Sequence, residues 1–133
     1  MNKLSFNEAV KDNLKKEAFM EICKTIDNIS WRPHPVAEGV TIKPLATKSD
    51  DNLDVTCLLL RVPPGKEIPE HTHGEQVDIV YPLEGEAEMY VDGAGTFPLK
   101  PGIVVVVPTG AKHGISNVTE ELLIYDVFQP ATI

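Results

Sequence analysis

The 133 residues are 42% apolar and 24% charged, a balance that suits one soluble globular domain with a single hydrophobic core. A net charge of −8 argues against a nucleic-acid phosphate backbone or an anionic membrane as partner and leaves a small molecule as the expected ligand. No stretch reaches the roughly twenty apolar residues a membrane helix needs, and the N-terminus lacks a signal-peptide core, so the expected location is cytoplasmic.

Residues 5 to 28 read as an α-helix. Ser5 and Glu8 have the spacing of a capping box, and Val10, Leu14, Ala18, Ile22 and Ile26 recur every four residues. The chain therefore divides into a helical extension, 1–30, and a β domain, 31–133. Trp31-Arg32-Pro33-His34-Pro35 cannot continue a helix, because proline removes donors and pushes its predecessor toward extended geometry. His34, between two prolines, reads as a solvated loop residue. Short strands follow at 40–45, 53–62, 79–83, 87–91, 96–99, 103–107, 113–116 and 122–128. Turn dipeptides such as Asp92-Gly93 and Pro101-Gly102 punctuate them. That pattern predicts an all-β sandwich or barrel. Cys23 and Cys57 sit in unlike contexts and read as reduced, near-core thiols.

The chemistry concentrates in His71-Thr72-His73. Side chains two apart on an extended chain share a face, so both imidazoles can reach one ion. His113 follows about forty residues later, and a barrel that brings it opposite the first pair supplies three neutral nitrogens to a first-row transition metal.

Gly65, His71, His73, Asp78 and Gly85 form one frame, and Gly102, Pro108, Gly110, His113 and Asn117 form a second. Together the two frames resemble the paired motifs of the cupin superfamily. The resemblance implies a jelly-roll β-barrel, a fold class that includes the cupins. It also implies a divalent metal inside the barrel on His71, His73, His113 and Asp78. Cupins usually place Glu where this chain has Asp78, and Asp reaches about 1.3 Å less. Either the backbone moves in and Asp78 ligates, or the carboxylate stops short and orients a ligand or a bound water. Glu75 and Gln76 are the alternative oxygen ligands.

Two functions follow from these residues. One is a metal-dependent enzyme, dioxygenase-like or isomerase-like, that acts on a small organic acid, thiol or enol inside the barrel. Fe(II) leads manganese, nickel, zinc and copper, because open three-histidine sites suit oxygen chemistry. Glu75 and Tyr81 are the candidate catalytic groups, and Tyr81 and Arg61 are candidate contacts for a carboxylate-bearing ligand. The other function is a ligand-binding or sensing module without turnover. A homodimer is expected in either case, since an exposed barrel edge or the apolar helix face calls for a cover.

Overall fold

The computed structural model describes residues 21–133. Eight antiparallel strands form one rolled sheet: β1 (Arg32–Pro33), β2 (Thr41–Ala46), β3 (Thr56–Val62), β4 (Ile68–His71), β5 (Val77–Val91), β6 (Gly95–Leu99), β7 (Val105–Val107) and β8 (His113–Gln129). Their order is β1-β2-β3-β8-β5-β6, while β4 pairs with β8 and β7 with β5. The predicted barrel is therefore present, with β8 at its centre.

Two strands are longer than the turn residues predict. The segments expected at 79–83 and 87–91 are one strand, β5, and those at 113–116 and 122–128 are one strand, β8. The cause is visible in the buried positions. Asp78, Val80 and Pro82 face inward at the start of β5, whereas Ala87, Met89 and Val91 do so at its end. The parity flips across Gly85, which sits at φ 92 with the ladder register shifting on both sides of it. In β8 the inward set changes from His113 and Ile115 to Leu122, Ile124, Asp126 and Phe128, with Asn117 at φ 50 between them. Each long strand turns a corner by spending an extra residue, and that closes the barrel.

The core fills with residues from every wall, among them Val62, Leu99, Leu122 and Ile124, each fully excluded from water. Thr47 caps a one-turn helix, Lys48–Asp51, by accepting from the Asp50 N–H at 2.9 Å. Glu84, Glu86 and Glu88 are exposed.

The helix expected over 5–28 does not run through its described part. Residues 21–25 are irregular and only Ile26–Asn28 form a short 3-10 turn; the remainder of that expectation, including Val10, Leu14 and Ala18, lies outside the described residues. Ile22 and Ile26, assigned to the apolar stripe, are 73% and 48% exposed. Tertiary contacts hold this segment instead. Lys24 Nζ donates to Asp51 and to the Leu45 carbonyl, both at 2.8 Å, and Lys43 Nζ donates to the Ile26 carbonyl at 3.0 Å. Both cysteines are free, but Cys23 is exposed rather than near the core. Among the described residues no helix is long and apolar enough to cross a membrane.

Candidate metal centre

His71 ends β4 and His113 begins β8, where the register places them directly opposite each other. Gly114 makes that pairing close. A Cβ there would stand 3.0 Å from the Ile68 carbonyl and 3.2 Å from the Glu70 nitrogen, so a larger residue would press β4 away from β8 by a few tenths of an ångström. His73 follows two residues after His71 and is pinned by its own carbonyl, which accepts from the Gly110 N–H at 3.1 Å. The three rings gather with centroids 4.3, 4.8 and 5.1 Å apart, and their ligating nitrogens all lie within 4.8 Å of one another.

The hydrogen bonds orient these rings outward from the backbone and toward one another. His71 Nδ1–H donates to the Pro69 carbonyl and His113 Nδ1–H donates to the Ala111 carbonyl, each at 2.8 Å. A carbonyl only accepts, so each Nε2 keeps a free lone pair, the arrangement that fixes a metal-binding histidine. His113 Nε2 is buried and faces a carboxylate oxygen of Asp78. The Nε2 atoms of His71 and His73 are 3.2 Å apart. Two nitrogens sharing one ion at ~2.1 Å stand about 3.0–3.4 Å apart, so this pair fits a metal.

Asp78, from β5, brings Oδ2 to 3.3 Å from His113 Nε2 and 3.8 Å from His73 Nε2. It flanks two of the three rings. Its other oxygen, Oδ1, is buried and unpartnered. Behind it lies Asp126 of β8, also buried, one strand over in the ladder that pairs Val80 with Asp126. Burial first, then the hydrogen bond and negative charge of Asp78, hold the Asp126 carboxyl well above the usual carboxylate range. Burial pulls His113 down, but the Asp78 hydrogen bond, the Ala111 carbonyl and the Asp78 charge outweigh it and leave its pKa raised. For His73 burial prevails over Asp78, with His71 and His113 adding to the fall. His34 is lowered by burial and by His71.

These groups line a cavity of about 480 Å³. Ile42, Leu58, Leu60, Val80, Ile115 and Phe128 make up much of the remaining wall. A wider groove of about 820 Å³ lies elsewhere, lined by Lys66, Glu67, Glu86 and Glu88, and it contains no histidine.

Several expected contacts fall outside the cavity. Tyr81 is 48% exposed and has the opposite parity to Asp78 on the straight part of β5. Arg61 stacks its guanidinium 4.3 Å from the Trp31 ring on the outer face. Glu75 is exposed in the bend after His73, and Gln76 donates to the Ala131 carbonyl at 3.3 Å. None of the four lines the cavity. Cys57 also points outward, beside Tyr125, whose hydroxyl is pushed up to about 12 by its hydrogen bond to that thiol and by burial. Conversely, His34 does line the cavity, and Asp126 was not singled out by sequence. The signal for Asp126 was its shared parity with Leu122, Ile124 and Phe128, hidden in a run apolar on both faces.

Known proteins fit this picture. A curated relative, polyketide synthase CurC of Streptomyces cyaneus, is 38% identical over 58 residues, 44% of this chain, and the match spans 37% of that protein's length. The polyketide cyclase RemF from Streptomyces resistomycificus superposes with a TM-score of 0.70 at 22% identity, covering 84% of this chain and 80% of RemF. Ectoine synthase from P. lautus does so with a TM-score of 0.72 at 22% identity, covering 83% of this chain and 78% of that one. These two likenesses concern the fold. The model of the Cupin domain matches residues 58–128, from the middle of β3 to the end of the barrel, and by that match over more than half its length the chain belongs to the cupin family.

Proposed function

We propose that this barrel is a metal-dependent enzyme that moves a proton on a small enolisable carbonyl compound held in the 480 Å³ cavity. The observation that carries the reading is the convergence of His71, His73 and His113 beside a buried carboxylate with an open oxygen. The three histidines would hold a divalent ion, which when bound supplies Lewis acidity toward a carbonyl oxygen. The apolar wall excludes water and binds the body of the substrate. Asp78 Oδ1, unpartnered and buried, would take a proton from the substrate's α-carbon. Asp126 holds the proton that keeps Asp78 oriented from behind. The likeness to CurC and RemF, a polyketide synthase and a polyketide cyclase, supports a substrate of this chemical kind. Isomerase-like or cyclase-like chemistry thereby moves ahead of the oxygenase reading.

The test begins with elemental analysis of protein purified without added metal or affinity-tag nickel. Wild type should carry close to one ion per chain, the His71→Ala/His113→Ala double variant close to none, and Asp78→Asn a content near wild type. Loss of metal in Asp78→Asn would instead make Asp78 a ligand. Metal-loaded wild type should exchange the α-hydrogens of phenylacetone with deuterated water, followed by NMR, and Asp78→Asn should lose at least a hundredfold of that rate. Metal without exchange in wild type would favour the binding module, oxygen uptake with a thiol or diketone would favour the oxygenase, and absence of metal uptake would end the metalloenzyme reading.

A homodimer remains part of the proposal. It is supported by exposed Tyr81, Leu83, Val104 and Val106 and the half-buried Leu123 and Tyr125 beside them, and sedimentation velocity tests it.

A further inference from the structure

His34 belongs to neither histidine frame, yet it lines the cavity that His71, His73 and His113 share. Its position is fixed by three hydrogen bonds. The His34 N–H donates to the Val40 carbonyl at 2.9 Å, closing the loop between β1 and β2. The ring Nδ1 accepts from the backbone N–H of Val36 at 3.1 Å and of Ala37 at 2.9 Å. A nitrogen that accepts two amide hydrogens carries none of its own, so the neutral ring keeps its proton on Nε2. Protonating Nδ1 would set an N–H against those amides and open the loop. Among the described residues Nε2 has no hydrogen-bond partner. With Nδ1 turned to the loop, the Nε2 edge is left to face the cavity.

The rest of the wall makes that donor distinctive. Its acids are Glu70 and Asp78, which offer oxygens, and Asp126, whose carboxyl is turned to Asp78, and no Lys or Arg lines it. His71 and His113 have already spent their Nδ1–H groups on backbone carbonyls. An acceptor oxygen on an otherwise apolar ligand therefore finds in His34 an N–H that no protein group has claimed.

We infer that His34 is a ligand-contacting residue whose Nε2–H holds a carbonyl oxygen of a largely apolar ligand against the wall of the cavity. The inference rests on the proposed function only in taking this cavity as the ligand site; it needs neither the metal nor turnover.

Two probes of nearly equal shape isolate the contact: 2′-hydroxyacetophenone, and 2-ethylphenol, which lacks the ketone oxygen. Dissociation constants are measured by calorimetry on protein as purified and again after metal removal with a chelator. Wild type should prefer the ketone by about five- to tenfold, the range of one hydrogen bond, and should keep that preference without metal. His34→Asn places Oδ1 where Nδ1 was, so it retains the loop acceptor, melts like wild type and loses the preference. His34→Gln places an amide N–H near the Nε2 position and gives up the loop acceptor, so it should melt lower while keeping part of the preference. A purely structural His34 predicts the reverse, with affinity following melting temperature in both variants. Wild type that shows no ketone preference, or His34→Asn protein that retains one, overturns the inference. A preference that vanishes on metal removal and is unmoved in His34→Asn assigns the ketone to the metal, which defeats this inference and leaves the metal centre standing. Absence of metal together with a His34-dependent preference does the opposite.

Discussion

The ladder between β5 and β8 has two parts that build the site in different ways. Over residues 77–82 against 124–129 the register is unbroken, and strict alternation sends Asp78 and Asp126 inward while Tyr81 and Tyr125 pair on the outer face. Beyond Pro82 the register shifts three times before Glu88 meets Ser116, and the inward parity of both strands has changed by the time Val91 faces His113. The acids are thus placed by regular geometry and the third histidine by irregular geometry. A straight ladder would put Glu84, Glu86 and Glu88 in the core. The corner turns those three glutamates to solvent and brings Ala87, Met89 and Val91 in. A barrel of this size needs both parts, because uniform alternation positions side chains but does not close the sheet.

The most damaging way to break the comparison is Gly85→Ala. At φ 92 an L-side chain is strained, and its Cβ would collide with the Glu121 backbone carbonyl, which no rotamer relieves. The expected loss is about 2–4 kcal/mol, read from urea unfolding, combining left-handed strain with a backbone clash. A loss under about 0.5 kcal/mol would mean that the corner is not the constraint described.

A second measurement sets the histidine against pH. The raised pKa of His113 means that the folded, metal-free chain holds this proton more tightly than the unfolded chain does. The associated stability is fully present below about pH 6.5 and is lost as pH rises through the folded value. Metal requires the neutral ring, so affinity should move the other way, weakening by up to about tenfold per pH unit on acidification, with an onset above pH 6.5. Zinc titrations between pH 5.5 and 8 check this, and a flat profile would separate His113 from the metal.

The smallest effect sharpens the regular half. Asp126 has a raised pKa, so the folded state keeps its proton where the unfolded state has released it, and stability falls as pH rises from the ordinary carboxylate range, about 3.9, through the folded value. Asn at this position cannot ionise and still donates to Asp78. Asp126→Asn should therefore raise the melting temperature of metal-free protein by a few degrees, about the worth of one hydrogen bond, and more at pH 8 than at pH 5. An advantage that stays constant between pH 5 and pH 8 would show that Asp126 is ionised in the fold.

The contrast also explains what the amino-acid sequence disclosed. His71, His73 and His113 were legible because each frame carries its own turn residues, and Gly85 and Gly110 sit at positive φ where the frames need them. Asp78 was legible by its register from Gly85. Tyr81 was misplaced although it stands three residues from Asp78, an odd separation that alternation sends to the other face. Asp126 was hidden because Leu122-Leu123-Ile124-Tyr125 is apolar on both faces, so no period marks the inner one. His34 was read as solvated because its partners are backbone amides of its own loop and its neighbours come from distant strands. The helix expected over 5–28 failed in its described part, where lysine contacts to β2 and the Lys48–Asp51 turn override a weak apolar period.

The central position of β8 carries a consequence for the order in which the molecule is made. Strands β3, β4 and β5 all find a partner in this one segment, which begins at residue 113. A chain emerging from the ribosome can form the turns between β2 and β7 but cannot complete these three pairings until residues 113–129 follow. His71 and His73 meet His113 only at that point. Ion capture should therefore trail the rest of assembly, and in a stopped-flow refolding experiment cobalt absorption should rise no earlier than the final β signal. An ion added to the nascent chain would act as a late seal on the barrel, not as its template.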